Sequence, residues 1–135
     1  MTPDAVFDVA SLTKVVATTP AVLQLIEKGR LQLDAPVARY WPEFKGHGKE
    51  RITVRQLLTH YSGLRPGLLP KPTWSGYNAA LKKIADDRPP FSPDSRFVYS
   101  DLNFTILGEL VRRVSVEPLE VYCRRHIFEP LGMKD

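Results

Sequence analysis

The sequence has very few residues that could form covalent cross-links or a thiolate metal site. It contains one cysteine, Cys123, among 135 residues, so no internal disulfide can form and no metal site can be built from thiols. The pattern around Cys123 is typical of a helix, where we expect a partly buried structural thiol. No metal site and no cofactor is predicted.

Long hydrophobic runs are also absent. The longest apolar runs are a few residues, far short of the roughly 20 needed to cross a bilayer, so no membrane span is predicted. The start, Met1-Thr2-Pro3-Asp4, has neither a basic nor an apolar segment, and we do not expect a signal peptide there. Localisation stays open, because a longer parent protein could carry a leader upstream.

The positive charge is modest and scattered. The formal net charge is +4, and the only tight basic pairs are 82–83, 112–113 and 124–125. A nucleic-acid surface needs clustered basic and aromatic residues on one face, so we expect no nucleic-acid partner. A nucleic-acid-binding helical domain remains an alternative that steeply salt-dependent binding would favour.

What the sequence does contain is a series of helical patterns separated by proline-rich loops. We predict one domain over residues 1–135, with a first helix over residues 11–29 and a helical region over residues 30–135. Further helices are predicted at 33–41, 53–60, 77–87, 101–114 and 118–128. Almost no strand is predicted, so the expected class is mainly α.

Several residues predict where these helices begin, bend or end. Gly29 is a plausible C-terminal cap of the first helix, and Pro20 should kink that helix near Ala17. Asp34, Thr53 and Asp101 are candidate N-caps of later helices. The run containing Val22, Leu23, Leu25 and Ile26 predicts a mostly buried second half of the first helix.

The first candidate for chemistry is Ser11 together with Lys14. Residues three apart share one face of a helix, so the Ser11 hydroxyl and the Lys14 amine can lie within hydrogen-bonding reach. Lysine can act as a base toward serine only if burial or a neighbouring charge lowers its pKa. The backbone N–H of Ser11, at a helix start, can donate to an oxyanion. The pair occurs by chance in many proteins, where it is an N-cap serine beside a solvated lysine.

The second candidate is Tyr99-Ser100-Asp101, where an extended segment meets a helix. A tyrosine near an ammonium can be held as a phenolate or can relay a proton. The alternative is a core tyrosine beside a capping aspartate.

Four segments, taken together, carry a family resemblance: FDVASLTK (7–14), LLTHYSGL (57–64), FVYSDLNF (97–104) and FEPLGMKD (128–135). In this order and spacing they resemble the serine β-lactamases and penicillin-binding proteins, in the branch that is similar to class C enzymes and includes esterases. The first segment contains the S-x-x-K motif of that family. The resemblance implies a serine hydrolase that forms an acyl-enzyme on an ester or amide.

The resemblance also implies roles for individual residues. Ser11 would be the acylated nucleophile, Lys14 would assist its deprotonation, and Tyr99 would be the general base or proton relay. Asp101 stands where the family usually has an asparagine that binds the substrate amide. A carboxylate cannot donate that hydrogen bond; it could instead pair with Lys14 and raise its pKa, which favours an esterase or peptidase over a β-lactamase.

The histidines are expected to be structural. His47, His60 and His126 have no partner at a spacing that suggests a metal site or a serine triad.

Some features of the resembled family are missing from this sequence. No Lys-Thr-Gly or close variant occurs, and in the family that strand motif supplies a wall of the site and the second oxyanion donor. The expected fold is therefore the helical region of the family's α/β fold, with the antiparallel sheet largely absent. An uncovered apolar face predicts self-association, for instance as a homo-oligomer. Two interpretations stay open: an internal fragment of a hydrolase with impaired activity, or an inert helical module that self-associates or binds a partner.

Overall fold

The computed structural model describes Thr2 and residues 5–133. Met1, Pro3 and Asp4, which belong to the segment where no signal peptide is expected, lie outside the described residues. The same holds for Lys134 and Asp135, which end the FEPLGMKD segment.

The first helix has two parts. A π-helical turn, Lys14–Thr18, runs directly into α1, Thr19–Glu27. The Thr19 N–H donates to the Lys14 carbonyl, five residues back. Pro20 has no N–H to offer the preceding turn, and such gaps are where helices bend or change register. The irregularity predicted near Ala17 thus takes the form of a π turn.

The end of the first helix is as predicted. Gly29 follows α1 with a φ of 68°, the left-handed conformation that glycine adopts at low cost after a helix. The burial of α1 is only partly as predicted. Val22 and Leu25 are fully buried, whereas Leu23 is 50% exposed, so the helix is amphipathic rather than mostly buried.

The remaining helices are α2, Val54–Leu58; α3, Tyr77–Asp86; α4, Asp101–Ser115; and α5, Leu119–Cys123, which continues as a π-helical segment, Arg124–Phe128. The helix predicted over 33–41 is instead a 3₁₀ turn, Val37–Arg39, followed by a second one, Pro42–Phe44. Within the described residues the only β pairing is an isolated antiparallel bridge between Pro36 and Thr53.

Two of the three predicted caps are wrong. Thr53 caps α2 in a capping box with Gln56, as the sequence predicts. Asp34, however, pairs with Arg55 at 2.6 Å and caps no helix. Asp101 is the first residue of α4, whose N-cap is the extended residue Ser100, and the Asp101 carboxylate forms an ion pair with Lys14.

The core is organised around α4. This helix contacts α1, α2 and α5, and its predicted apolar face is buried at Ile106, Leu107, Leu110 and Val111. The packing fixes the N-terminal end of α4 against the start of the first helix, so it decides which side chains meet there.

A set of large apolar side chains stays exposed on and around the first helix: Val6, Phe7, Val9, Leu12, Val15, Val16 and Leu23. The sequence predicts an uncovered apolar face on this helix, and these residues are the candidates for it. Whether copies of the chain associate through it stays a prediction, as does the assignment of these helices to one region of a larger α/β fold. None of the helices in the described part of the chain is long and apolar enough to cross a membrane.

Candidate active site

Ser11 lies in a turn just before the first helix. Ala10, which precedes it, has a φ of 45°, a left-handed conformation that is uncommon for a non-glycine residue. The Asp8 carboxylate stabilises this turn by accepting the Ala10 N–H at 2.8 Å. The Ser11 N–H has no acceptor among the described residues, so it is free to donate to a bound group, as the sequence predicts for a helix start.

The structure brings Ser11 and Lys14 together. The Lys14 Nζ donates to the Ser11 Oγ at 3.0 Å, which is the contact expected for residues one turn apart. The Lys14 side chain is only 15% exposed. Because the amine donates to the serine oxygen, the serine's own O–H is left to donate elsewhere.

Asp101 also reaches this lysine. Its Oδ1 accepts from the Lys14 Nζ at 2.6 Å, and its side chain is 67% exposed at the rim of the site. Burial works to lower the pKa of Lys14, but the hydrogen bonds and negative charge of Asp101 and Tyr99 outweigh it and raise the pKa above its ordinary value. Lys14 is therefore an ammonium at neutral pH, the outcome that works against its use as a base.

Tyr99 completes the group from a different part of the chain. The Lys14 Nζ lies 5.0 Å from the centre of the Tyr99 ring, and the tyrosine is 47% exposed. Its interaction with the Ser11 hydroxyl, and next with Lys14, lowers the pKa of the Tyr99 phenol below its ordinary value of 10.0. Both interactions favour the phenolate.

These contacts define a direction for proton movement. Lys14 donates to Ser11 and carries the positive charge, while Tyr99 has a lowered pKa beside the same hydroxyl. A phenolate next to an ammonium can take the serine proton, whereas an ammonium has no lone pair with which to accept a proton. The arrangement favours Tyr99 over Lys14 as a proton acceptor and places the positive charge on Lys14.

The LLTHYSGL segment and the two residues that follow it hold the Tyr99 segment in place. His60 accepts the Ser100 N–H at its Nδ1 atom at 3.0 Å, and the Ser100 Oγ donates to the Arg65 carbonyl at 2.6 Å. The Asp101 N–H donates to the Pro66 carbonyl at 2.8 Å. Sequence reasoning identified this segment but missed these contacts, because nothing in the sequence pairs residues 60–66 with residues 98–101.

Phe104 was missed as well. It lies on the first turn of α4, with its ring centre 5.7 Å from the Lys14 Nζ, and so adds a second aromatic face beside the ammonium. A signal was available, since Phe104 falls on the same helical face as Asp101 at a spacing of three residues.

The other two histidines lie away from this site. His126 contacts Glu117 at 3.1 Å and stacks on Tyr122, and His47 lies in a loop. No group of His, Cys, Asp or Glu side chains in the described ranges has the arrangement of a metal site.

Comparison with known proteins decides the family. A sequence profile described as Beta-lactamase matches residues 1–135, the whole chain. The chain belongs to the β-lactamase family. Among members of known name, Esterase EstB of Burkholderia gladioli is 36% identical over 155 residues, covering 100% of this chain and 39% of its own length.

Two solved structures of the β-lactamase family are similar in fold. A penicillin-binding protein homologue from Caulobacter crescentus is 35% identical with a TM-score of 0.73, covering 87% of this chain and 34% of its own. A D-stereospecific amidohydrolase from Streptomyces sp. is 30% identical with a TM-score of 0.78, covering 93% of this chain and 42% of its own. The chain thus spans less than half the length of each of these relatives.

Proposed function

We propose that this chain carries the nucleophile, the base and the fixed positive charge of a serine hydrolase that acts on an ester or amide through an acyl-enzyme at Ser11. The observation that carries the proposal is the convergence of two side chains on the Ser11 hydroxyl. The Lys14 Nζ lies 3.0 Å from the Ser11 Oγ and 5.0 Å from the centre of the Tyr99 ring, and the same hydroxyl lowers the pKa of Tyr99. The names of the relatives, an esterase and an amidohydrolase, support this substrate class.

The proposed reaction follows from the contacts. Tyr99, as the phenolate, takes the Ser11 proton while the Ser11 Oγ attacks the carbonyl carbon of the substrate, giving a tetrahedral intermediate. The free Ser11 N–H donates to the oxyanion, and the Lys14 ammonium stabilises the negative charge near Ser11. The leaving alcohol or amine departs with a proton returned from Tyr99, and water later cleaves the acyl-serine ester.

We propose that the chain alone is an impaired catalyst. It contains no Lys-Thr-Gly, the strand motif that the family resemblance associates with a second oxyanion donor. Losing one such donor typically costs ~10²–10³ in rate. We therefore expect acylation of Ser11 by activated esters and slow turnover.

Asp101 favours an ester or peptide substrate over a β-lactam. Its carboxylate is already paired with Lys14, and it cannot donate a hydrogen bond to a substrate carbonyl as an asparagine can. We expect acylation by a short activated ester to be faster than acylation by penicillin.

The test is a mass measurement on the intact chain. Incubation with p-nitrophenyl acetate, and separately with a fluorescent penicillin, should add one acyl group to Ser11. The Ser11→Ala variant should not be labelled, while Ser95→Ala, which changes an exposed loop serine, should be labelled like the wild type. Labelling that persists in Ser11→Ala would overturn the proposal.

The alternative is an inert helical module that self-associates, and the exposed apolar face of the first helix favours it. A folded helical spectrum, no adduct on Ser11 and a concentration-dependent mass in sedimentation would support that alternative against the hydrolase.

A further inference from the structure

His60 occupies an unusual position behind the candidate active site. It is a buried residue, 8% exposed, and its φ of 62° places it in the left-handed region. Histidine adopts this conformation at some cost, so the surrounding contacts must hold it there. They come from the segment that carries Tyr99.

His60 forms one backbone and one side-chain hydrogen bond to that segment. The His60 carbonyl accepts the Val98 N–H at 2.9 Å. The His60 Nδ1 atom accepts the Ser100 N–H at 3.0 Å. The two bonds hold the residues immediately before and after Tyr99, so the backbone of Tyr99 is fixed from both sides by one residue.

The imidazole ring contacts the Tyr99 ring directly. Their ring centres are 4.6 Å apart at an interplanar angle of 34°. Phe104, the other aromatic beside Lys14, lies 5.4 Å from the same imidazole, and Phe97 lies 5.8 Å away. At these separations aromatic rings stabilise each other and restrict rotation. The imidazole is therefore the common neighbour of both rings that face the Lys14 ammonium.

The protonation state of the ring follows from its partners. Nδ1 accepts the Ser100 N–H, so in the neutral ring the proton lies on Nε2. Asn103 places its Nδ2 atom 3.1 Å from the same Nδ1. The Ser62 Oγ donates to Asn103 Oδ1 at 2.6 Å, which fixes the amide with its NH₂ group toward the histidine. Two donors on one nitrogen leave no room for a proton there.

The surroundings of His60 favour the neutral ring on balance. Burial lowers the pKa of His60, and the Lys14 ammonium on the first helix lowers it further. Asp101 at the start of α4 opposes this, but the net pKa is below the ordinary value of 6.5. Two tyrosines also lie beside His60: Tyr99, whose ring stacks on the imidazole, and Tyr61, the next residue in the chain.

We propose that His60 is a positioning residue, whose neutral imidazole fixes the Tyr99 phenol beside Ser11 and Lys14 through the Ser100 N–H and the stacked rings. The catalytic consequence rests on the function proposed above, but the geometric claim does not. His60 touches no reacting atom; it acts through the Tyr99 segment.

The first test uses the wild-type chain and needs no activity. The ¹⁵N shifts of the imidazole should show Nε2 protonated and Nδ1 unprotonated at neutral pH. The Ser100 amide proton should shift when the imidazole is protonated by acid. A proton on Nδ1 at neutral pH would overturn the inference.

The second test compares His60→Phe, which keeps a ring without an acceptor, with His60→Asn. Asparagine tolerates the left-handed conformation and offers an amide oxygen near the position of Nδ1. The readout is the pKa of Tyr99, measured from its ¹³Cζ shift and assigned with Tyr99→Phe. We expect this pKa to rise toward 10.0 in His60→Phe, and by less in His60→Asn.

The matched control is His126→Asn, because His126 also stacks on a tyrosine, Tyr122, at 4.4 Å but lies away from Ser11. This variant should leave the Tyr99 pKa unchanged. If His60→Phe does not fold, His60→Asn and the wild-type shifts still decide the question. A folded His60 variant with an unchanged Tyr99 pKa would refute the positioning role.

The acylation rate separates this inference from the proposed function. A misplacement of about 1 Å can cost on the order of 10²-fold in rate, so His60→Phe should acylate at least tenfold more slowly, with His60→Asn partly restored. If the wild type forms no adduct, the hydrolase proposal fails while the Tyr99 pKa still tests His60. If the wild type reacts and the variants react equally fast, the inference fails and the hydrolase proposal stands.

Discussion

Lys14 and Asp101 are 87 residues apart in the sequence, yet the Lys14 Nζ lies 2.6 Å from the Asp101 Oδ1. The pair connects the start of the first helix to the start of α4. It also decides the charge of the site, because the Asp101 carboxylate helps to raise the pKa of Lys14. A lysine held in this way supplies positive charge rather than a lone pair.

Replacing Asp101 by asparagine should therefore shift the pH dependence of acylation. Asp101 raises the pKa of Lys14, and its charge also raises that of Tyr99. In Asp101→Asn both pKa values should fall, so the acid limb of the acylation rate, which follows formation of the Tyr99 phenolate, should move to lower pH. Single-turnover acylation measured against pH checks this.

Asp34→Asn is the matched control for that variant, since Asp34 forms an equally short ion pair with Arg55, at 2.6 Å, on the surface. It should leave the pH profile unchanged. An acid limb that stays in place in Asp101→Asn would contradict the assignment of the base to Tyr99.

Removing the Tyr99 hydroxyl should strongly slow acylation. Tyr99→Phe keeps the ring beside Lys14 but removes the hydroxyl that we propose accepts the Ser11 proton, and general base catalysis is typically worth 10²–10⁴-fold. We expect a loss in that range from stopped-flow measurements with an activated ester. Tyr61→Phe, at another exposed tyrosine of the same region, should react within about twofold of the wild type. A Tyr99→Phe variant that acylates normally would leave Lys14 as the base.

Glu109 should link stability to acid pH. It is fully buried on α4; burial works to raise its pKa, but hydrogen bonds from Arg112, Tyr77 and Arg113 outweigh it and lower the pKa to about 2 from 4.5. A carboxyl with a lowered folded pKa stabilises the fold above its unfolded pKa and loses that contribution as the pH falls through the folded value. The contribution at neutral pH is on the order of 3 kcal/mol.

The measurement is urea unfolding of the wild type and Glu109→Gln at several pH values. The stability advantage of the wild type should be constant above about pH 5 and shrink between pH 4.5 and 2, the range set by the two pKa values. Glu117→Gln serves as the control, because Glu117 is a partly exposed carboxylate. A pH-independent difference between wild type and Glu109→Gln would refute the link.

Gly63 should tolerate no side chain. Its φ is 78°, and a Cβ atom there would lie 2.2 Å from the Phe91 carbonyl oxygen, so the loop before Tyr99 would have to move. Overpacking of this kind typically costs 1–3 kcal/mol, and we expect Gly63→Ala to lower the free energy of unfolding by about that much and to slow acylation.

Gly67→Ala provides the comparison from the same loop, since nothing lies within 4 Å of a Cβ at Gly67. Thermal unfolding should show a lower Tm for Gly63→Ala and little change for Gly67→Ala. Equal Tm values for the two variants would contradict this prediction, because they would show that the Phe91 backbone can move to make room for the added methyl group.

Local sequence signals predicted most of the helices. The capping box of Thr53 and Gln56, the glycine at position 29 and the apolar spacing of α4 are each decided within a few residues, and each is found in the structure. The helix predicted over 33–41 is not found as such. Val37 donates its N–H to the Ile52 carbonyl instead, so a contact from a distant segment replaces a helical one.

The part of the candidate site that could be predicted from the sequence is the part formed by residues close together in the chain. Ser11 and Lys14 meet because residues one turn apart share a face. Tyr99 was a candidate from its place before a helix, but its pairing with Ser11 was predicted only through the family resemblance, since no pattern in the chain links the two residues. His60, Asn103 and Phe104 were not predicted as parts of the site, because their roles depend on contacts between segments about 40 residues or more apart in the chain.

The sequence by itself determined most of the helices, the turn in which Ser11 meets Lys14, and membership of a family with a recognisable order of motifs. Only the tertiary structure decided that Asp101 pairs with Lys14 rather than capping its own helix. The physical reason is that the Asp101 carboxylate can accept a hydrogen bond either from a backbone N–H at the start of α4 or from another donor nearby. A lysine ammonium brought to 2.6 Å by the packing of α4 against the first helix offers a stronger, charge-assisted one.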